Sequence, residues 1–363
     1  MLKKKKVLII YPQLFRYRIP IFNILAEKYD LTVLHSGKEI KDNTENIKQI
    51  IIPIKKIGPF SVFFVNLHKI CKNYDVVISE GTTRYLDRNL LIINRFRSYK
   101  WINWGIGVSA SYEKKFDANK RFDGVRYFLY KLSDASIFYS DYPVSRYVSV
   151  GFDRSTLFVA NNTTAVSYNE NVEYEKDSLL FIGTLYKEKN IYALLEAYQE
   201  ASKMTKNRFP LNIIGGGDEY ENIQQWVKNN GFANTINLVG PLFDQEKLEP
   251  YFRRAFACIS PGQAGLSVLT SMGYGTPFVT TKDAITGGEI FNIENGRTGV
   301  LYDKPEELKN IIYDISSNPT KYVQMGREAR KYYLDNRRPD QMAGAIIDAI
   351  EYVSRNGSNV STI

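Results

Sequence analysis

The sequence predicts an α/β protein built as two doubly wound domains, and three observations carry that expectation. Apolar strand-like runs alternate with amphipathic stretches along nearly the whole chain, the pattern of a parallel sheet covered on both faces. At 363 residues the chain exceeds what one hydrophobic core usually organises. A polar stretch, Asn161–Lys176, interrupts the alternation near the middle and is expected to be the linker.

In the first half, strands are expected at Lys6–Tyr11, Leu31–His35, Asp75–Ser79, Trp101–Trp104, Ala135–Tyr139 and Leu157–Ala160. Helical stretches such as Ile19–Tyr29, Val62–Lys72 and Arg121–Leu132 lie between them. Past the linker, strands are expected at Leu179–Gly183, Leu211–Ile214, Thr235–Val239, Ala255–Ser260, Pro277–Thr281 and Gly299–Leu301. Helices are expected at Ile191–Lys203, Tyr220–Asn230, Glu246–Arg253 and Ser267–Tyr274, then at Pro305–Ser316, Pro319–Asn336 and Pro339–Ser354. The domains are read as residues 1–165 and 166–338. Residues 339–355 form a helix returning toward the first domain, and 356–363 a flexible tail. No unit of 20–50 residues repeats. Doubly wound sheets bind ligands outside the carboxyl ends of their strands, so both domains are expected to present those ends to a central cleft.

Composition narrows the class. The chain is 44% hydrophobic and 24% charged, that of an ordinary globular protein. Cys71 and Cys258 cannot build a disulfide framework, and with two His a structural zinc site is not expected. No signal peptide opens the chain and no apolar run is long enough to span a bilayer, so a cytoplasmic protein is expected, peripheral on the inner face of the cell membrane. The net charge of +9 is unevenly placed: residues 1–165 carry 27 Lys/Arg against 14 Asp/Glu, the remainder 21 against 25. The first half is therefore expected to meet an anionic partner.

Two stretches of the second half suit a phosphate group. In FIGTLYKEKN, Gly183 ends a strand and Lys189 stands just before a helix, where backbone N–H groups and an ammonium point the same way. In SPGQAGLSVLTSMGYGTPFVT, Gly262 and Gly265 let backbone approach a ligand, and the amides of Leu266 and Ser267 open a helix. Gly215-Gly216-Gly217 follows a strand but is not followed by GK[ST], so no P-loop is present. Nor does a G-x-G-x-x-G follow the first strand, which argues against a dehydrogenase. No Asp-x-Asp or ligand-spaced His/Cys cluster supports a metal.

In combination, FIG-x-L-x-x-EK, IIGGGDE, a Gly-Pro-Leu after a strand, PG-x-x-GLS-x-L-x-SM-x-YGTPFV and ENGRTGVLY resemble glycosyltransferase family 4, across residues 178–301. YRIPIFNILAEKYDLTVL, WGIG and SIFYSD resemble a subset of that family. The resemblance implies the GT-B fold of two Rossmann-like domains, retention of anomeric configuration, a nucleotide-diphosphate sugar as donor and no metal. Donor binding is expected at Gly183, Thr184, Gly216, Gly217, Pro241, Leu242, Gly265, Leu266, Ser267, Thr270 and Glu289, and a catalytic role at Lys189. Glu80, following the strand VVIS, is expected to meet an acceptor hydroxyl as a second catalytic group. Arg16, Arg18, Gly105 and Gly107 are expected to bind the acceptor.

The departures from the family are specific. Thr184 stands where the family has Arg. Gly262 and Thr270 stand where it has two glutamates, and Ile106 replaces a histidine. Together these remove charge-assisted hydrogen bonds worth about 1.5–3 kcal/mol each. Glu289 or Asp283 could supply a missing carboxylate. In the mechanism proposed for such retaining enzymes the departing diphosphate itself helps deprotonate the acceptor, so a site of this kind can still act by positioning and charge stabilisation.

Basic residues interleave with aromatics at Lys114–Lys131 and Arg95–Lys100, which suits an anionic membrane surface. The acceptor is thus read as a glycan, lipid-linked, in surface polysaccharide or glycoconjugate synthesis. A second reading is a catalytically degenerate protein of the same fold that binds a glycan or a partner protein. Nucleic-acid binding rests on charge alone, with no recognised module, and is not expected.

Overall fold

The computed structural model describes residues 3–94, 96–110, 116–118, 120–205 and 208–355. The expected tail, and part of the basic-aromatic stretch after Ser109, lie outside them. Two compact units result: Met1–Ser109 with Asp117–Asn162 and Pro339–Ile363, and Ala110–Phe116 with Thr163–Arg338.

The first unit contains strands β1 (Lys6–Ile10), β2 (Asp30–His35), β3 (Lys48–Ile51), β4 (Lys55–Ile57), β5 (Phe60–Val62), β6 (Val76–Glu80), β7 (Lys100–Gly105), β8 (Ala135–Phe138) and β9 (Leu157–Val159). Its helices are α1 (Ile19–Lys28), α2 (Leu67–Cys71), α3 (Leu86–Ile93), α4 (Asp123–Lys131) and α5 (Val144–Ser149). The main sheet runs β3-β2-β1-β6-β7-β8-β9, every pair parallel. From β1 the chain first builds outward to β3, then returns to β6 on the other side of β1. The crevice of a doubly wound sheet opens at that reversal. Strand residues alternate faces: Val7 and Ile9 join one core with Phe22 and Leu25, while Leu8 and Ile10 join another with Phe63 and Trp101.

The second unit contains β10 (Ser178–Ile182), β11 (Leu211–Ile214), β12 (Ile236–Gly240), β13 (Ala255–Ile259), β14 (Gln263–Ala264), β15 (Phe278–Thr281), β16 (Ile285–Thr286) and β17 (Gly299–Tyr302). Its helices are α6 (Ile191–Met204), α7 (Tyr220–Asn229), α8 (Gln245–Arg254), α9 (Ser267–Gly273), α10 (Glu307–Ser317) and α11 (Pro319–Asn336). The sheet order is β12-β11-β10-β13-β15-β17, again all parallel, with the reversal between β10 and β13. Phe181 and Ile213 pack with Leu194 and Ile312 on one face, and Leu180 and Cys258 with Leu269 and Met272 on the other.

The last helix, α12 (Pro339–Arg355), belongs to the first unit. It packs on α1 and β8, with Ile346 and Ile350 fully buried. Glu351 on its outer edge accepts hydrogen bonds from Lys5 Nζ at 2.9 Å and Tyr29 Oη at 2.8 Å. The units divide at Asn162/Thr163, three residues before the expected boundary. Thr163 Oγ1 donates to the carbonyl of Arg337, and Tyr333 Oη donates to that of Thr164 at 2.7 Å. The linker is thus packed where it enters the second unit.

Two local expectations are corrected. The stretch Val62–Lys72, read as one helix, ends a hairpin at Val62 and becomes helical only from Leu67, where Asn66 Oδ1 accepts the N–H of Lys69 at 3.0 Å. Such a cap stabilises a helix start and fixes where it begins. An edge strand, β3, was not expected from the mixed KQII.

Candidate active site

Four neighbouring strands of the second unit end in loops that carry the expected donor residues. The loop after β10 holds Gly183, Thr184 and Lys189, that after β11 Gly216 and Gly217, that after β12 Pro241 and Leu242, and that after β13 Gly265 to Ser267. Backbone hydrogen bonds lock them together: Leu185 N–H to Gly216 O at 2.9 Å, Gly215 N–H to Gly240 O at 2.9 Å and Ile285 N–H to Gly262 O at 3.0 Å. Tyr186 Oη donates to Gln263 Oε1 at 2.8 Å, tying the first of these loops to the last. The glycines allow this closeness. A β-carbon on Gly215 would overlap the carbonyl oxygen of Gly183, and one on Gly217 that of Leu185. Gly216 is the one whose β-carbon would find ordinary room, beside Pro241 at 3.5 Å.

Lys189 ends a short 3-10 turn, Lys187–Lys189, before Asn190 takes a left-handed conformation and α6 begins. The side chain is only 8% exposed and its ammonium lies against Gly183, 3.0 Å from where a β-carbon would stand. Burial lowers its pKa to about 8, with the neighbouring Cys258 thiol acting weakly in the other direction. Lys189 forms neither an ion pair nor a side-chain hydrogen bond among the described residues. Lys176, likewise brought down to about 7 by burial and by Arg253, differs here, because its ammonium donates to the carbonyls of Ala255 at 2.6 Å and Arg253 at 3.2 Å. A desolvated charge without a counter-charge is costly unless an anion joins it.

Opposite this loop, the in-helix bonds of α9 begin at Val268 N–H to Gly265 O, 2.9 Å, so the amides of Gly265, Leu266 and Ser267 precede the ladder. A β-carbon on Gly265 would meet nothing within 4 Å. Gly262 is the reverse: its β-carbon would fall 2.5 Å from Glu188 O and 2.9 Å from the Lys189 carbonyl group. A carboxylate at this position is therefore excluded by the approach of the Lys189 loop. Thr270 Oγ1 donates to Leu266 O at 3.1 Å, so its proton is already used and the hydroxyl can offer a ligand only lone pairs. Glu289 is buried, and its carboxylate accepts Gly287 N–H at 2.9 Å and the Thr286 hydroxyl at 3.3 Å. It braces the 286–289 turn, which β14–β16 pairing joins to the loop carrying Gly262. Asp283 is exposed.

In the first unit, Glu80 stands at the carboxyl end of β6, beside the reversal. Its Oε2 is 4.0 Å from Arg88 Nη2. Burial raises the Glu80 carboxyl, while Arg88 and Arg84 pull it back down. Arg88 is itself buried, with Nη1 on Ser79 Oγ at 3.2 Å and its guanidinium 3.3 Å from the Tyr85 ring centre. The sequence analysis did not single out Arg88, which lies on α3 and is buried. Arg18, expected at the acceptor, is corrected to a structural role. It is 1% exposed, lies about 5 Å from the rings of Tyr17, Trp104 and Tyr139, and donates to Asn162 Oδ1 at 2.9 Å. Gly107 is corrected likewise: it turns at φ 78°, a β-carbon would strike Phe138 at 2.7 Å, and its carbonyl takes the Tyr147 hydroxyl at 2.9 Å. Gly105 is buried within β7, whereas Arg16 is exposed and paired with Asp42 at 3.0 Å. His35 is satisfied inside the fold, its Nδ1 accepting Gly37 N–H and its Nε2 therefore donating to Gln49 Oε1, both at 3.2 Å. No group of three or more His, Cys, Asp or Glu that could hold a metal occurs among the described residues.

The family model described as glycosyl transferases group 1 matches residues 167–332. That segment is similar to the group 1 glycosyl transferases. It contains every donor residue named above. An uncharacterized glycosyltransferase of Haemophilus influenzae is 25% identical over 176 residues, 47% of this chain and 48% of that protein. The chain thus spans about half the length of this relative. Another, from Methanocaldococcus jannaschii, is 25% identical over 353 residues, covering 85% of this chain and 86% of that one. Among solved structures, a glycosyltransferase from Rickettsia africae superposes with a TM-score of 0.72 at 14% identity, over 97% of this chain and 99% of that one. The Anabaena protein HepE in complex with UDP and glucose gives 0.69 at 13%, over 96% and 99%. The fold is GT-B.

Proposed function

We propose that the protein is a retaining glycosyltransferase of the family 4 type, moving a hexose from a nucleotide-diphosphate sugar to a glycan acceptor. The buried, unpaired ammonium of Lys189 carries the reading. Gly262, in the loop that leads to the amides of Gly265–Ser267, packs against the backbone of Glu188 and Lys189, and we assign the lysine and those amides to one diphosphate at the carboxyl end of the sheet. A diphosphate placed there receives what the lysine lacks, and negative charge growing on it as the sugar leaves is stabilised by groups already oriented. Charge neutralisation by Lys189 and backbone dipoles asks for no divalent ion, so turnover is expected to survive EDTA. The UDP complexes of HepE, with glucose and with UDP-glucose, favour a UDP-sugar as the first donor to try.

Glu80 is assigned to an acceptor hydroxyl and Arg88 to holding its carboxylate. The acceptor is taken to be a lipid-linked glycan of surface polysaccharide or glycoconjugate synthesis, the setting that the basic first half suits. Thermal unfolding with UDP-, GDP- and dTDP-sugars tests the donor assignment. A rise in melting temperature with one of them, absent in Lys189→Ala, is expected. No response to any nucleotide would sink it and leave a glycan- or protein-binding role.

A further inference from the structure

The first unit exposes an apolar surface that the donor chemistry does not use. Of the large hydrophobic side chains exposed among the described residues, fifteen lie in the first unit and six in the second. Six of those in the first unit lie on or beside two helices. On α3, Leu86, Leu90 and Ile93 recur at helical spacing on the outward side, while Arg88, Leu91 and Ile92 face inward. At α4 the N-cap Phe122 and, within the helix, Val125 and Phe128 are exposed, while Leu129 and Tyr130 are buried. The two helices pack together. The β4–β5 hairpin lies beside α3, since Ser61 N–H donates to Arg84 O at 2.8 Å, and it adds exposed Ile57 and Phe60. Beyond α3, Phe96 is 97% exposed. A monomer in water seldom keeps so many large apolar groups together on one face.

Charge identifies the occupant. Lys55, Lys56, Arg84 and Arg121 are exposed around this surface. The two acidic residues on the helices are turned into the fold. Asp87 accepts the N–H groups of Phe63 at 2.7 Å and Arg88 at 2.9 Å, and Asp123 pairs with Arg126. A second copy of this chain would set these cations against themselves across a two-fold contact. An anionic bilayer meets both demands, headgroups for the cations and acyl chains for the side chains between them.

We propose that the outer faces of α3, α4 and the β4–β5 hairpin dock on an anionic lipid bilayer, with Leu90 and Phe128 entering the acyl boundary. The attachment is peripheral, since among the described residues no helix is long and apolar enough to cross a membrane. It is independent of the donor assignment.

The test is co-sedimentation of the full chain with vesicles of phosphatidylglycerol and phosphatidylcholine in equal parts, against phosphatidylcholine alone. Binding should be roughly tenfold stronger to the anionic vesicles, and the double variant Leu90→Ser/Phe128→Ser should lose roughly tenfold. The variant should melt at the same temperature and respond to UDP-sugar like the parent, because both side chains are exposed and remote from Lys189 in sequence. Equal binding to both vesicles, or unchanged binding in the variant, would overturn the proposal. So would a concentration-dependent dimer of the parent that the variant abolishes, since a second copy would then occupy the surface. A chain that responds to UDP-sugar but ignores vesicles loses only this inference; one that binds vesicles but ignores nucleotides loses only the donor assignment.

Discussion

The Lys189 side chain is 8% exposed and carries a charge the fold does not answer. Lys189→Met keeps the volume and removes the charge. Unliganded, this variant should be more stable than the parent by about 1–3 kcal/mol at pH 7 in urea unfolding, while losing any stabilisation by nucleotide. A residue needed only for folding would move both quantities down together. The pH dependence follows from the same group. Its proton is held to about 8 in the folded protein against 10.5 in the ordinary range, and an anion raises the bound value. Donor binding should therefore take up protons near pH 8 and weaken as pH rises through it, readable by calorimetry in buffers of different ionisation heat. Gly262→Ala should cost about 1–3 kcal/mol, because its β-carbon would stand 2.5 Å from Glu188 O; Gly262→Glu, which restores the family's residue type, should be no better tolerated.

At the scale of elements, alternation of apolar strands with amphipathic helices was enough to place the central strands and the longer helices. The residues in question are buried on both faces, so their composition follows from position. Leu8, Ile9 and Ile10 leave no other reading. Elements with one wet face were harder, as β3 and the hairpin show. In the candidate site, the loops were legible as motifs, since glycine spacing and a lysine at a helix start are local. What each side chain does in them was not. Arg18 and Glu289 read as ligand-facing polar groups, yet one lies among three aromatic rings and the other braces its own turn. The contact that excludes a side chain at Gly262 joins segments more than seventy residues apart. Periodicity carries no trace of such meetings. The seam of α12 offers a test at this scale. Hydrogen bonding from Lys5 and then from Tyr29 brings Glu351 down to about 2 from 4.5. Its contribution is full above the unfolded value and fades as pH falls through the folded one. Glu351→Gln should cost about 1 kcal/mol at neutral pH, and parent and variant should converge between pH 4.5 and 2 in urea titrations.

Across the whole molecule, charge and apolar exposure gather on the same unit. Residues 1–165 hold the excess of cations, and the remainder is mildly acidic. Salt should separate the two attachments proposed here: at about 0.5 M NaCl, vesicle binding should fall severalfold as exposed charges are screened, while the nucleotide response, set by a buried ammonium, should change less. The order in which the units can be completed is also fixed. The second is continuous in the chain apart from the short stretch near Phe116, whereas the first needs Ile346 and Ile350 of α12 to close its core. Domains usually fold in the order in which they leave the ribosome. Here the unit begun first is finished last: its sheet must wait with one face uncovered while the whole second unit is synthesised. A ribosome that stalls after Arg338 would thus release a chain with a complete donor half and a first half open along α1, a natural substrate for chaperones and proteases.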